Sequence, residues 1–224
     1  MSVSLRMGMR FCTVAAMTLL LVGGTVGGAK ADAIVGVHFG SNGKAPTNWT
    51  LVSTTNSPLE NLIDEDGNET DIGLDFGAPA FESFYAGSLA DSTIPMHTPS
   101  LAALKGNTYD SSFSGLTFTA TFSGLDPDEP YAVWVFGARF DPGIGINQHV
   151  TISGAETVEF DQSGVGNSLW INDTVGSSDN DLESYAEVVT STPDGTITIT
   201  ATGFIDNPFG DTYSVSGLAI QSAN

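Results

Sequence analysis

From residue 33 to residue 221 the chain repeats one pattern: a short run rich in Val, Ile, Phe, Tyr and Thr, closed by a cluster of Gly, Asp, Asn or Pro. β-Branched and aromatic residues suit a pleated, half-buried surface, and the punctuating residues suit turns. The runs fall at 33–39, 48–53, 59–63, 70–76, 113–122, 131–140, 148–153, 157–160, 168–171, 185–190, 196–202 and 213–221. Segments 59–63 and 70–76 face each other across Asp66-Gly67, a hairpin turn signal. About eleven short strands with turns between them predict an all-β fold, a single jelly-roll β-sandwich. No strand-helix-strand alternation points to a parallel α/β sheet. One short helix is expected at 99–105, between Pro99 and Gly106. It lies inside the one long irregular stretch, 77–112.

Two runs are informative in detail. In 113–122, Leu116, Phe118, Ala120 and Phe122 share one face and Thr117, Thr119 and Thr121 the other, a half-buried strand. In 131–140 (YAVWVFGARF) both faces are apolar, as in a central strand covered on both sides. Tyr131 follows the turn Leu125-Asp126-Pro127, so its hydroxyl is placed to bind loop backbone as in a tyrosine corner.

The amino terminus reads as a leader. Arg6 and Arg10 precede the apolar run 11–22, and Ala29-Lys30-Ala31 offers a small-x-small cleavage site. A second site follows at Ala31-Asp32-Ala33. The expectation is a signal peptide over 1–31, its cut placed to within two residues, and a sandwich domain over 32–224. The run is shorter than the ~20 residues of a comfortable membrane span, so the product is expected in the periplasm or outside the cell, without membrane insertion. Cys12, the single cysteine, departs with the leader, leaving no disulfide and no thiolate metal site.

The formal net charge is −20. Removal of the leader also removes Arg6, Arg10 and Lys30, leaving Lys44, Lys105 and Arg139 against 26 acidic residues. Such a field disfavours nucleic acid and anionic lipid as partners. It favours solubility and cations. Asp64, Asp66, Asn68 and Asp71 crowd one turn, and Asp173, Asp179, Asp181 and Glu183 crowd another. Hard oxygen ligands at that density suit a structural calcium, although most of the acids are accounted for as solvated surface.

Motifs for other chemistry are missing. There is no Gly-x-Ser-x-Gly elbow and no His-Glu-x-x-His. His38, His97 and His149 are scattered and unaccompanied. Residues 36–44 fail as a phosphate loop because Ala45 stands where Ser or Thr is needed. Among 26 acids a glycosidase pair is neither identified nor excluded.

Sugar binding turns on aromatic rings. Trp49 and Trp134 fall on strand faces with Leu51 and Phe136 and read as core. Trp170 shares a face with Ser168 and Asn172 and has two readings: a stacking platform beside Asn172 and Asp173, or core under a covered face. Arg139, near Asp141, pairs structurally or contacts sugar hydroxyls. His149, with Thr151 and Ser153 on a polar face, is placed to join it.

Several phrases together resemble a family: Val37-His38-Phe39-Gly40 with Asn48-Trp49, then 61–68 (NLIDEDGN), 122–127 (FSGLDP) with Tyr131, 135–139 (VFGAR) and 193–199 (PDGTITI). The chain resembles secreted bacterial galactose-binding-like β-sandwich domains, of the carbohydrate-binding-module kind. The resemblance implies a jelly roll and a polysaccharide or cell-surface glycan as partner. The functional expectation is a secreted, non-catalytic carbohydrate-binding or surface-adhesion sandwich, with Trp170, Asn172, Asp173, Arg139 and His149 at the ligand. The alternatives are an extracellular polysaccharide hydrolase or lyase using paired carboxylates, and a structural or matrix protein without a small-molecule ligand.

Overall fold

A computed structural model describes residues 33–39, 46–52, 58–77, 84–85, 108–109, 117–139, 145–165, 168–172, 182–204 and 213–224. The expected leader, the helix expected at 99–105, and Asp173, Asp179 and Asp181 lie outside these residues.

Among the described residues there are thirteen strands: β1 (Val35–Phe39), β2 (Thr50–Val52), β3 (Gly73–Phe76), β4 (Phe84–Tyr85), β5 (Thr108–Tyr109), β6 (Thr117–Ser123), β7 (Pro130–Arg139), β8 (Gly145–Ser153), β9 (Thr157–Val165), β10 (Ser168–Ile171), β11 (Glu187–Thr190), β12 (Ile197–Gly203) and β13 (Gly217–Ser222). One sheet runs β10-β7-β13-β1-β2, with β11 also on β7. The other runs β3-β6-β12-β8-β9. All pairings in both sheets are antiparallel except β1 with β2. The strands β4 and β5 form a separate pair. Two mostly antiparallel sheets packed face to face make the expected all-β sandwich.

Burial follows the sequence period. In β6 and β12 every second residue is buried, so Phe118, Ala120 and Phe122 meet Ile197, Ile199 and Ala201 in the core while the threonines face outward. Val35, Val37, Val133, Val135, Leu218 and Ile220 line the core from the other sheet. The Tyr131 hydroxyl accepts the Asp126 amide at 2.8 Å, the expected corner.

Central strand β7 is covered on both faces, as its sequence predicts. Trp134 and Phe136 point away from the main core into a second cluster with Trp49, Ile171, Leu182, Tyr185 and Ala219. The Trp134 indole N–H donates to the Leu182 carbonyl at 2.9 Å. Trp49 meets Phe136 edge-on, with ring centroids 5.6 Å apart. Trp49 also lies over Gly36, where a Cβ would sit 2.1 Å from the indole.

Some elements differ from their sequence bounds, for local reasons. Residues 182–185 form a 3-10 turn, and strand pairing begins only at Glu187. The chain before β13 is held by side chains as well as backbone: the Ser214 amide donates to Gln148 Oε1 at 2.6 Å, Ser216 Oγ donates to the Phe136 carbonyl at 3.1 Å, the Ser216 amide donates to the same carbonyl at 2.7 Å, and the Ser216 carbonyl accepts the Phe39 amide at 3.0 Å. The strand at 157 runs on to Val165, pairing β8 throughout. The 59–76 hairpin is held by bridges at Leu59 with Leu74 and Ile63 with Glu69, and Gly67 takes φ 89° in its turn.

Candidate functional site: the outer face of the five-stranded sheet

Period-2 alternation that buries Phe118, Val150 and Ile199 must put their neighbours on the opposite face. On β12 the outward row is Thr198, Thr200, Thr202 and, one step past the strand, Phe204. Register sets Thr202 between Thr117 and His149, and His149 beside Asp161. It sets Thr200 between Thr119 and Thr151, and Thr151 beside Glu159. The face is therefore a grid of hydroxyls edged on the β9 side by an imidazole and two carboxylates and on the β3 side by Asp75. Threonine pairs tie β6 to β12, with Thr117 and Thr202 Oγ1 atoms 3.2 Å apart and those of Thr121 and Thr198 3.0 Å apart.

His149 organises one end of this grid. Its Nδ1 is 2.8 Å from Asp161 Oδ1, and its Nε2 is 3.9 Å from Glu159 Oε2. The two carboxylates address opposite ring nitrogens, so the trio does not converge on one point as metal ligands must. Phe204 is 37% exposed, and its centroid is 6.3 Å from that of His149. The Phe204 amide donates to the Asn147 carbonyl at 2.9 Å, which fixes the backbone under the ring. An open aromatic ring beside donors and acceptors of both kinds is the equipment for a ligand with apolar faces and hydroxyl edges.

Other residues singled out from the sequence are dispersed. Asn172 is 1% exposed and its amide is consumed by backbone: Oδ1 accepts the Val135 amide at 2.8 Å, and Nδ2 donates to the Val133 and Tyr185 carbonyls at 3.0 and 2.6 Å. Trp170 pairs with Gly137, and Arg139 with Ser168, both in the six-stranded sheet and so not on the sheet of His149. The side chains of Trp170, Arg139 and Glu183 lie outside the described residues.

Asp64 is buried in its turn, where its carboxylate accepts the Asn68 amide at 2.8 Å and the Asn68 side chain at 3.1 Å. Burial pushes this carboxyl up, but hydrogen bonds from Asn68, Asp66 and Gly67 outweigh that and hold it below the ordinary 3.8. Asp66 and Asn68 are exposed on the same turn, whereas Asp71 lines a separate depression of about 350 Å³ with Glu60, Asp75 and Ser123. Among the described residues no three His, Cys, Asp or Glu side chains converge as a metal site. Nor is any described helix long and apolar enough to cross a membrane.

No protein-family model matches the chain, and no curated protein matches it. Among solved structures it is similar to the ANXUR2 extracellular domain from Arabidopsis thaliana, with TM-score 0.49 and 10% identity over 83% of this chain and 47% of that one. It is similar to the ANXUR1 extracellular domain from the same plant, with TM-score 0.45 and 12% identity over 65% of this chain and 39% of that one. An exo-β-1,3-galactanase from Phanerochaete chrysosporium follows, with TM-score 0.34 and 16% identity over 62% of this chain and 25% of that one. The chain thus spans less than half the length of each of these structures.

Proposed function

We propose that this protein is an exported, non-catalytic carbohydrate-binding β-sandwich whose ligand face is the outer surface of the five-stranded sheet around Phe204 and His149. The observation that carries the reading is the half-exposed Phe204 ring, 6.3 Å from the His149 imidazole at the edge of a threonine grid. An aromatic ring stacks on the apolar face of a pyranose, and Thr202, Asn147, His149, Glu159 and Asp161 meet its hydroxyls. Retention of the protein on insoluble or immobilised polysaccharides tests this, with Phe204→Ala beside the parent chain. Loss of retention at unchanged melting temperature supports the face. Equal retention by both proteins removes it.

A second reading, an acid-pair hydrolase or lyase, is favoured by one feature. The depression beside β3 gathers Glu60, Asp71 and Asp75. Release of reducing sugar from a polysaccharide, lost in Asp71→Asn, is its test.

A further inference from the structure

We infer that the ligand of the Phe204–His149 face is an extended, uncharged polysaccharide and not an anionic one or a single terminal sugar. This rests on the carbohydrate-binding reading above and narrows it. The first ground is charge. Among the described residues, no Lys or Arg stands on the outward rows of β6, β12, β8 and β9, while Glu159 and Asp161 are there with side chains 60% and 65% exposed. A uronate or sulfate laid on this grid meets two carboxylates and no lysine or arginine, inside the field of a chain of formal charge −20. Hydroxyls, by contrast, donate to those carboxylates and exchange hydrogen bonds with the His149 ring and the threonines.

The second ground is shape. Four strands at ~4.8 Å spacing make a face about 14 Å wide, and the outward row from Thr198 to Phe204 runs about 20 Å. Among the described residues the face is a twisted sheet surface with one open ring, Phe204, at its end. A single sugar touches only a few groups of such a surface, so affinity has to accumulate over several units along a chain. The register supplies the repeat: each second residue of β12 offers a hydroxyl at the same height as one on β6.

The test uses the full chain in affinity electrophoresis and pull-down. The neutral panel is xylan, mannan, galactan and β-glucan; the anionic panel is alginate, polygalacturonate and carrageenan. Both panels are run at low and high salt. The expected result is retardation by at least one neutral polymer, retention at least about tenfold weaker on every anionic polymer at low salt, and no release by the matching monosaccharide in excess. The Phe204→Ala variant loses the retardation. Equal or stronger binding to an anionic polymer at low salt overturns the charge argument and leaves carbohydrate binding standing. Release by monosaccharide overturns the extended-chain argument alone. Retention by no polymer overturns the carbohydrate reading and this inference with it.

Discussion

The side-chain oxygen of Asn172 accepts the backbone amide of Val135 at 2.8 Å, and this bond closes a gap in the six-stranded sheet. Strand β10 pairs with β7 from Phe136 onward, and β11 pairs with the same edge up to Val133. Between them, among the described residues, no strand pairs with the β7 edge; Asn172 stands in for one, its backbone N–H donating to the Val135 carbonyl at 3.1 Å beside its side-chain amide. Asn172 sits at φ 47°, a left-handed conformation that asparagine tolerates better than most residues. Asn172→Ala leaves the buried Val135 amide without its acceptor and takes a donor from the Val133 and Tyr185 carbonyls, and is expected to cost about 3 kcal/mol. For a chain of this size that is a fall of roughly 6–12 °C in Tm. Asn172→Gly keeps the backbone conformation and loses the side chain, so it should fall almost as far. A Tm within a degree of the parent for both variants contradicts the plug.

Tyr131 makes a prediction at alkaline pH. Burial pushes its phenol above the ordinary 10.0; the hydrogen bond from Asp126 works the other way, and the charges of Asp126 and Glu129 add to the rise. A folded-state pKa raised above the unfolded value means the stabilisation is complete below about pH 10 and is lost as pH rises through the folded pKa. Tyr131→Phe removes the corner bond and is expected to cost about 1 kcal/mol near neutrality. It should also flatten the alkaline limb of the stability curve, measured by urea unfolding across pH. An unchanged alkaline slope counts against the corner as its source.

Asp64 makes the opposite prediction at acid pH. Its depressed pKa gives stability that is present above the unfolded value of ~3.9 and is lost as pH falls through the folded value below 3.8. Asp64→Ala leaves the Asn68 amide without its acceptor. The variant should be less stable than the parent at neutral pH and converge with it in strong acid. A constant difference at all pH values would contradict an ionised Asp64 as the organiser of this turn.

Gly36 tests the second core. Its missing Cβ is the space that Trp49 occupies, so Gly36→Ala must push the indole off β1. The expected cost is about 1–3 kcal/mol, with a red shift of tryptophan emission as Trp49 gains solvent. Parent-like stability and emission would show that the indole relocates freely.

Much of the fold was legible because it is periodic. The Phe118–Phe122 alternation, the doubly apolar β7, the Tyr131 corner and the cores around Trp49 and Trp134 follow from side-chain period and local turn chemistry. Asn172 was not legible as a plug, since its role depends on two strands far apart in sequence sharing one edge of β7. Gln148 and Gln162 were equally hidden. They sit at inward positions, buried, where Gln148 Nε2 donates to Gln162 Oε1 at 2.5 Å and Gln162 Nε2 donates to the Val135 carbonyl at 2.9 Å, a bridge between sheets. His149 was placed on the polar face correctly. Its neighbour Phe204 was missed although a signal existed: the phase of Thr198, Thr200 and Thr202 carries one residue past the strand. It was hidden by the turn-forming dipeptide Asn207-Pro208 in the sequence that follows.

The most direct measurement is polysaccharide retention by the parent chain and by Phe204→Ala, compared at matched Tm. The expected result is binding to a neutral polysaccharide by the parent, lost in the variant while its Tm stays within about 2 °C, as befits a half-exposed ring. Retention of both proteins alike, or of neither on any polysaccharide, contradicts the assignment of this face.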